Sequence, residues 1–223
     1  MEMDKEQAKI TIARRVAREL RDGDVVNLGI GIPTLVPAYL PESVRVVIHT
    51  ENGIVGAGPR PSQDRAEPSH VTDAGGAPAS VVPGGCFIDS TLSFGLIRGG
   101  HVNCTVLGAL EVDVEGNLAN WIIPGKKVPG MGGAMDLVVG AKKVIIAMEH
   151  TAEGKPKILE KCRLPITAIK CVDRIITEMA VFDVTDEGLL LQEHNPAFSI
   201  DEIRAATGAS FLLARDIKET LIK

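Results

Sequence analysis

Apolar positions along this chain follow two rhythms in turn, a spacing of about 3.6 residues and short unbroken runs, which predicts helices interleaved with strands. In residues 4–22, Ile10, Ala13, Val16, Ala17 and Leu20 fall on one helical face, Arg14, Arg15, Arg18 and Glu19 lie largely outside it, and Gly23 follows as a stop. Residues 24–29 then read as a buried strand, 33–40 as a short helix containing Pro37, and 44–50 as a β-branched strand. The order returns with a helix at 91–97, a strand at 102–107, a helix start at 133–139 and an apolar strand at 143–148. Such alternation predicts an α/β fold with a single open, mostly parallel sheet covered by helices. Near the C-terminus, runs at 179–185 and 189–193 flank the turn Asp186-Glu187-Gly188 and are expected to pair antiparallel, making the sheet mixed. Ser199-Ile200-Asp201-Glu202 has the capping-box pattern, opening a helix that Gly208 ends.

With 223 residues and a 45% hydrophobic fraction, the chain is expected to form one domain over 1–223 and to need no covalent staples. Cys86, Cys104, Cys162 and Cys171 form no C-x-x-C pair, so neither a disulfide framework nor a metal site is expected. The 24 Lys and Arg against 29 Asp and Glu leave a net charge of -5, which supplies no basic field for a nucleic-acid backbone. No apolar run reaches the roughly 18 residues that span a bilayer, and the charged N-terminus has no secretory core. The expectation is therefore an uncleaved, cytoplasmic chain with neither nucleic-acid nor membrane partners. Residues 58–79, rich in proline and glycine, lack usable periodicity and read as a long functional loop.

Three segments carry candidate chemistry. Asn27-Leu28-Gly29-Ile30-Gly31-Ile32-Pro33 is a glycine-spaced turn between strand and helix, where backbone amides can approach an anion. A dinucleotide fingerprint would explain Glu51 at 20 residues beyond Gly31, but Thr34 replaces the third glycine and Pro33 removes a donor. Glu51-Asn52-Gly53 follows an apolar strand directly, placing a carboxylate at the carboxyl edge of a parallel sheet, where open α/β folds bind ligands. Gly130, Gly132 and Gly133 in the stretch 129–137 approach a helix start and can turn amide donors toward developing negative charge. His49, two residues before Glu51, is expected on the opposite strand face and as a structural residue. No G-x-S-x-G, G-x-x-x-x-G-K-[ST] or H-E-x-x-H pattern occurs, so hydrolase, nucleotidase and zinc-protease readings fall away.

Together these residues resemble the beta subunit of a 3-oxoacid coenzyme A-transferase, in the class I family of acetoacetate, butyrate and succinate transferases. The resemblance covers nearly the whole chain. Its carriers are residues 27–33, Glu51-Asn52-Gly53, the segment from Gly84-Gly85 to Asp89-Ser90, Ile97-Arg98-Gly99-Gly100-His101, Asn117-Leu118-Ala119-Asn120-Trp121, and residues 129–137. It implies a coenzyme A-transferase-like fold, Glu51 as nucleophile, the Gly132 amide in an oxyanion hole and Asn27 as an active-site asparagine. It sets Gly29, Gly31, Asn52, Gly53, Gly130 and Gly133 beside acyl-CoA or the short-chain carboxylate. Thr50 and Asp73 depart from the serine and asparagine that many members carry there.

The implied chemistry is a ping-pong exchange through a glutamyl-CoA thioester, with coenzyme A as substrate and no other cofactor. A carboxylate needs no partner base to be ionised at neutral pH. Water competes for such intermediates, so the site needs a cover. The 58–79 loop and a partner alpha subunit are the two candidates. The alternative is an α/β domain of regulatory or isomerase role that holds coenzyme A or a phosphosugar without a covalent step.

Overall fold

The computed structural model describes residues 3–62, 71–125 and 131–220. The first half contains α1 (Lys5–Ala17), β1 (Val25–Leu28), a 3-10 helix (Ile32–Tyr39), β2 (Val47–Thr50), β3 (Ile54–Gly58), β4 (Ser80–Phe87), α2 (Ser90–Arg98) and β5 (Cys104–Leu107). There follow β6 (Glu111–Asp113), β7 (Leu118–Ala119), α3 (Ala134–Gly140), β8 (Val144–Ala147), β9 (Thr151–Ala152), β10 (Lys155–Pro156) and β11 (Ile158–Leu159). The chain closes with β12 (Arg174–Ile176), β13 (Ala180–Thr185), β14 (Gly188–His194), α4 (Ile200–Ala206) and β15 (Phe211–Glu219).

Ten strands form one open sheet in the order β15-β14-β13-β12-β8-β5-β1-β2-β3-β4. The central run from β12 to β2 is parallel. Antiparallel pairings of β2 with β3, β3 with β4, β12 with β13 and β13 with β14 make it mixed. The reason lies in side-chain alternation, since strands buried on both faces need a continuous apolar run. On one face Val26, Val106, Ile145, Ala147, Ile176 and Val181 pack against Ile12, Ala13 and Val16 of α1. On the other, Leu107, Val144, Ile146, Ile175 and Phe182 pack against Ile97, Leu137 and Ile203 of α2, α3 and α4. Among the described residues no helix is long and apolar enough to cross a membrane.

Element ends depart from the sequence pattern for local reasons. α1 stops at Ala17, and the next amides turn to carbonyls three residues back, as Glu19 N does to Val16 O at 2.8 Å, tightening the last turn. Leu20 stays buried all the same. The 33–40 segment is 3-10 rather than α-helical, with Pro37 inside it unable to supply an amide. β2 begins at Val47 because Val44 N bonds Pro41 O in a turn. The Ser199 capping box forms as expected.

Arg15 and Glu19 overturn the reading of α1's polar face. Their side chains are each only 7% exposed and sit in a network of three cations and three carboxylates. Arg15 Nε and Nη2 donate in a fork to Glu193 at 2.7 Å each. Its Nη1 lies 2.7 Å from Glu19 Oε1 without hydrogen-bond alignment, so that contact is an ion pair only. Glu19 also accepts from Lys143 and Arg174 at 2.6 Å, and Arg174 reaches Asp183 at 2.6 Å. The network ties α1 to β12, β13 and β14. A helix face that looked solvated is therefore covered by the distant C-terminal strands.

Chain order fixes where a ligand can enter. From β1 the chain goes to β2 on one side, then through β3, β4 and α2 to β5 on β1's other side. The carboxyl ends of β1, β2 and β5 consequently splay around a topological switch point, the place where open α/β sheets form a crevice.

Candidate active site

A cavity of about 510 Å³ opens at that switch point. Asn27 and Gly29 come from the end of β1, Glu51 from the end of β2, and residues 107–110 from the end of β5. Gly132, Gly133 and Leu137 come from the approach to α3 and from α3 itself, while Asn120 and Trp121 follow β7.

Glu51 stands in a tight turn whose every neighbour has a definite task. Gly53 N donates to Thr50 O at 2.9 Å, and Ile88 N donates to Gly53 O at 2.9 Å. Gly53 adopts φ +117, and a Cβ there would run into Ile88 O, so only glycine fits. Thr50 Oγ1 donates to Asn52 Oδ1 at 2.7 Å and accepts from Ile54 N at 3.3 Å. Threonine thus keeps the hydroxyl the turn uses, and its departure from serine costs the turn nothing. Ser93 Oγ, from α2, donates to Glu51 O at 2.9 Å and closes the support from below.

The carboxylate itself meets Asn27, whose Nδ2 donates to Glu51 Oε2 at 3.2 Å and to His49 O at 3.1 Å. Asn27 is 1% exposed, and its Oδ1 has no partner among the described residues. Glu51 Oε1 is left without a donor there, with its lone pairs available. Gly133 backs the stem so closely that a Cβ on it would lie 2.9 Å from Glu51 Cγ and 3.4 Å from Phe94 Cζ. Gly132 has φ +56, with open space where its Cβ would be. We expect Gly133→Ala to push Glu51 off its position, lowering kcat by about 10²-fold with little change in unfolding midpoint. Steady-state kinetics beside thermal denaturation check this; an unchanged kcat would show that the contact does not position Glu51.

Of the residues singled out by sequence, Asn27, Gly29, Glu51, Gly132 and Gly133 share the cavity. Gly29 is there for close packing, since a Cβ would meet Leu107 Cδ2 at 3.1 Å and Val106 O at 3.2 Å. Gly31, at φ +90, caps the 3-10 helix and opens on a neighbouring cavity of about 460 Å³ instead. Asn52 and Gly53 do not line the site and serve the turn. Gly130 lies outside the described residues. His49 is not turned away from Glu51: strand side chains repeat every two residues, and its Nε2 lies 2.9 Å from the same Ser93 Oγ that supports Glu51. The ring is fully buried, which pushes its pKa down against the pull of Glu51. Residues 107–110 and Ser93 were not foreseen. A glycine after an apolar strand marks many turns, and only sheet order shows that β5 borders β1.

Comparison with known proteins bears on this geometry. Residues 9–206 match the coenzyme A transferase family. The acetate CoA-transferase subunit beta of Haemophilus influenzae is 54% identical over 216 residues, covering 96% of each chain. The mitochondrial succinyl-CoA:3-ketoacid coenzyme A transferase 2A of Rattus norvegicus is 49% identical over 218 residues, covering 96% of this chain and 42% of that one. In shape, the apoenzyme of the acyl-CoA transferase YdiF from Escherichia coli O157:H7 matches 100% of this chain and 45% of its own, with a TM-score of 0.77. At 24% identity that last likeness speaks for the fold alone.

Proposed function

This chain belongs to the coenzyme A transferase family, and from that premise we propose that it is a catalytic beta subunit moving coenzyme A between short-chain carboxylic or 3-oxo acids. Glu51 is the nucleophile and the route is ping-pong. The observation that carries this reading is the Glu51 carboxylate at the switch-point cavity, held through Oε2 by buried Asn27 and backed by Gly133, with Oε1 undonated among the described residues.

Held at one oxygen, the carboxylate can attack the acyl-CoA carbonyl with the other. The tetrahedral adduct collapses with loss of the C–S bond, giving an acyl-glutamyl anhydride and coenzyme A thiolate. The thiolate then attacks the Glu51 Cδ carbonyl, expels the first carboxylate and leaves a glutamyl-CoA thioester. The acceptor carboxylate runs these steps backward to form the new acyl-CoA. Thioester energy is conserved throughout, so no ATP or other cofactor is called for. Each adduct carries an oxyanion, and one well-placed donor is worth about 2.7–4 kcal/mol. Gly132 N–H, which has no acceptor among the described residues, is our assignment for it.

The related chain from Haemophilus influenzae is named a subunit beta. We take an alpha subunit as the partner that completes the site, and the two together as the active enzyme. The test is chemical capture in the assembled enzyme: incubation with acyl-CoA, then hydroxylamine, then peptide mass analysis. A hydroxamate confined to Glu51 is expected. Turnover without modification there would overturn the covalent route and favour a site that holds coenzyme A by non-covalent contacts.

A further inference from the structure

Asn52 sits inside the nucleophile's turn yet reaches away from the cavity. Its Oδ1 accepts from Thr50 Oγ1 at 2.7 Å, and its Nδ2 donates across 20 positions of sequence to Thr72 O at 2.8 Å. Residues 71–79 form a small closed loop on their own. Ala79 N bonds Val71 O at 3.1 Å, Asp73 N bonds Ala77 O at 2.8 Å, and Thr72 bridges Pro78. Within it, Asp73 Oδ1 accepts from Gly75 N and Ala77 N, each at 2.9 Å. An aspartate performs that task as well as asparagine, since both amides need only an acceptor. The tip reaches the mouth of the active cavity: Ala74 and Gly75 line it, and a Cβ on Gly75 would lie 3.1 Å from Ile30 Cγ1. Ile30, which lines the cavity and is 75% exposed, is the side chain the tip approaches.

We propose that Asn52 is a positioning residue that straps residues 71–79 across the cavity mouth, and that this strap keeps the glutamyl thioester on transfer rather than hydrolysis. The proposal rests on the covalent reading of Glu51 above. In the competing reaction a water oxygen attacks the Glu51 thioester carbonyl, the C–S bond breaks, coenzyme A leaves as the thiol with one of the water's protons, and the glutamate returns as the carboxylate with the other proton released to solvent. Covering the mouth lowers the access of water to that carbonyl, whereas the acceptor acid arrives as a bound substrate. One amide side chain thus links the turn that presents the nucleophile to the loop that shields its intermediate.

Two variants test the strap in the assembled alpha–beta enzyme. Asn52→Asp keeps an acceptor for Thr50 but sets an oxygen without a hydrogen against Thr72 O. Ile30→Ala removes the rest for the loop tip and adds no charge. The readout is the ratio of acyl-CoA hydrolysis to transfer together with the decay rate of the glutamyl-CoA thioester without acceptor, neither of which depends on how much enzyme is folded. We expect about a tenfold rise in both quantities for each variant. Thioester formation with decay at the wild-type rate in both variants would overturn the strap alone. No thioester in the wild type would overturn the covalent reading and the strap with it.

Discussion

Glu51→Gln is expected to abolish coenzyme A transfer, lowering kcat/KM by at least about 10⁴-fold, equivalent to more than about 5 kcal/mol of transition-state stabilisation. The amide is isosteric and can still accept from Asn27, so the cavity should keep its shape. What is lost is the anionic oxygen: an amide oxygen forms neither the anhydride nor the thioester. Glu51→Asp retains the charge but draws it back by one methylene from the support of Gly133 and Asn27. It should also lose about 10²-fold or more, since misplacement of a reacting atom by about 1 Å has that scale. Unfolding midpoints should stay near wild type in both. Substantial transfer by Glu51→Gln, with the substitution verified by mass, would remove Glu51 from the mechanism.

Arg15→Ala should cost about 3 kcal/mol of stability, because it leaves the largely buried Glu193 carboxylate without a counter-charge. Glu193 loses both bonds of its fork, and Glu19 loses one of three cations. Burial alone pushes the Glu19 carboxyl up, but the Lys143 hydrogen bond with Arg15 and Arg174 outweighs it and holds the pKa at about 2. A folded value below the unfolded one contributes stability that is present above about pH 4.3 and lost as pH falls through about 2. His150 acts at higher pH. Fully buried between Thr177 and Thr207 at 2.9 Å, its pKa is pushed down to about 4 by burial and then by Lys157. Folded His150 therefore binds fewer protons than unfolded between about pH 6.5 and 4, and stability falls across that window as pH drops. Glu19→Gln should flatten the loss below about pH 4 and keep the loss from pH 6.5 to 4. Denaturant midpoints across pH measure both, and an unaltered acid limb in Glu19→Gln would refute the assignment.

Much of this site is legible in the sequence. The apolar run before Glu51 gives way just beyond it to Asn52 and Gly53, which turn easily, and a parallel strand ending in a carboxylate is a local statement that spacing alone supports. The glycines at 132 and 133 announced a close approach, though not that Gly133 backs the stem of Glu51. Asn52 shows the limit. As part of the Glu-Asn-Gly triplet it counted as a residue beside the substrate, yet its side chain bonds Thr50 and Thr72. Arg15 and Glu19 failed more plainly, because helical periodicity assigns charged residues to water unless something else covers them.

What depends on neighbours within a few residues could be read from the chain alone: the alternation of strands and helices, the Ser199 cap, and the carboxylate at a strand end. What depends on which distant segments meet became visible in the folded chain. That β1 lies between β2 and β5 makes a cavity of three strand ends, that the C-terminal strands cover α1 turns its charges inward, and that residues 71–79 fold back gives Asn52 its partner. Local patterns bias each residue's own backbone, whereas contacts across the sheet follow from the burial of all its faces at once.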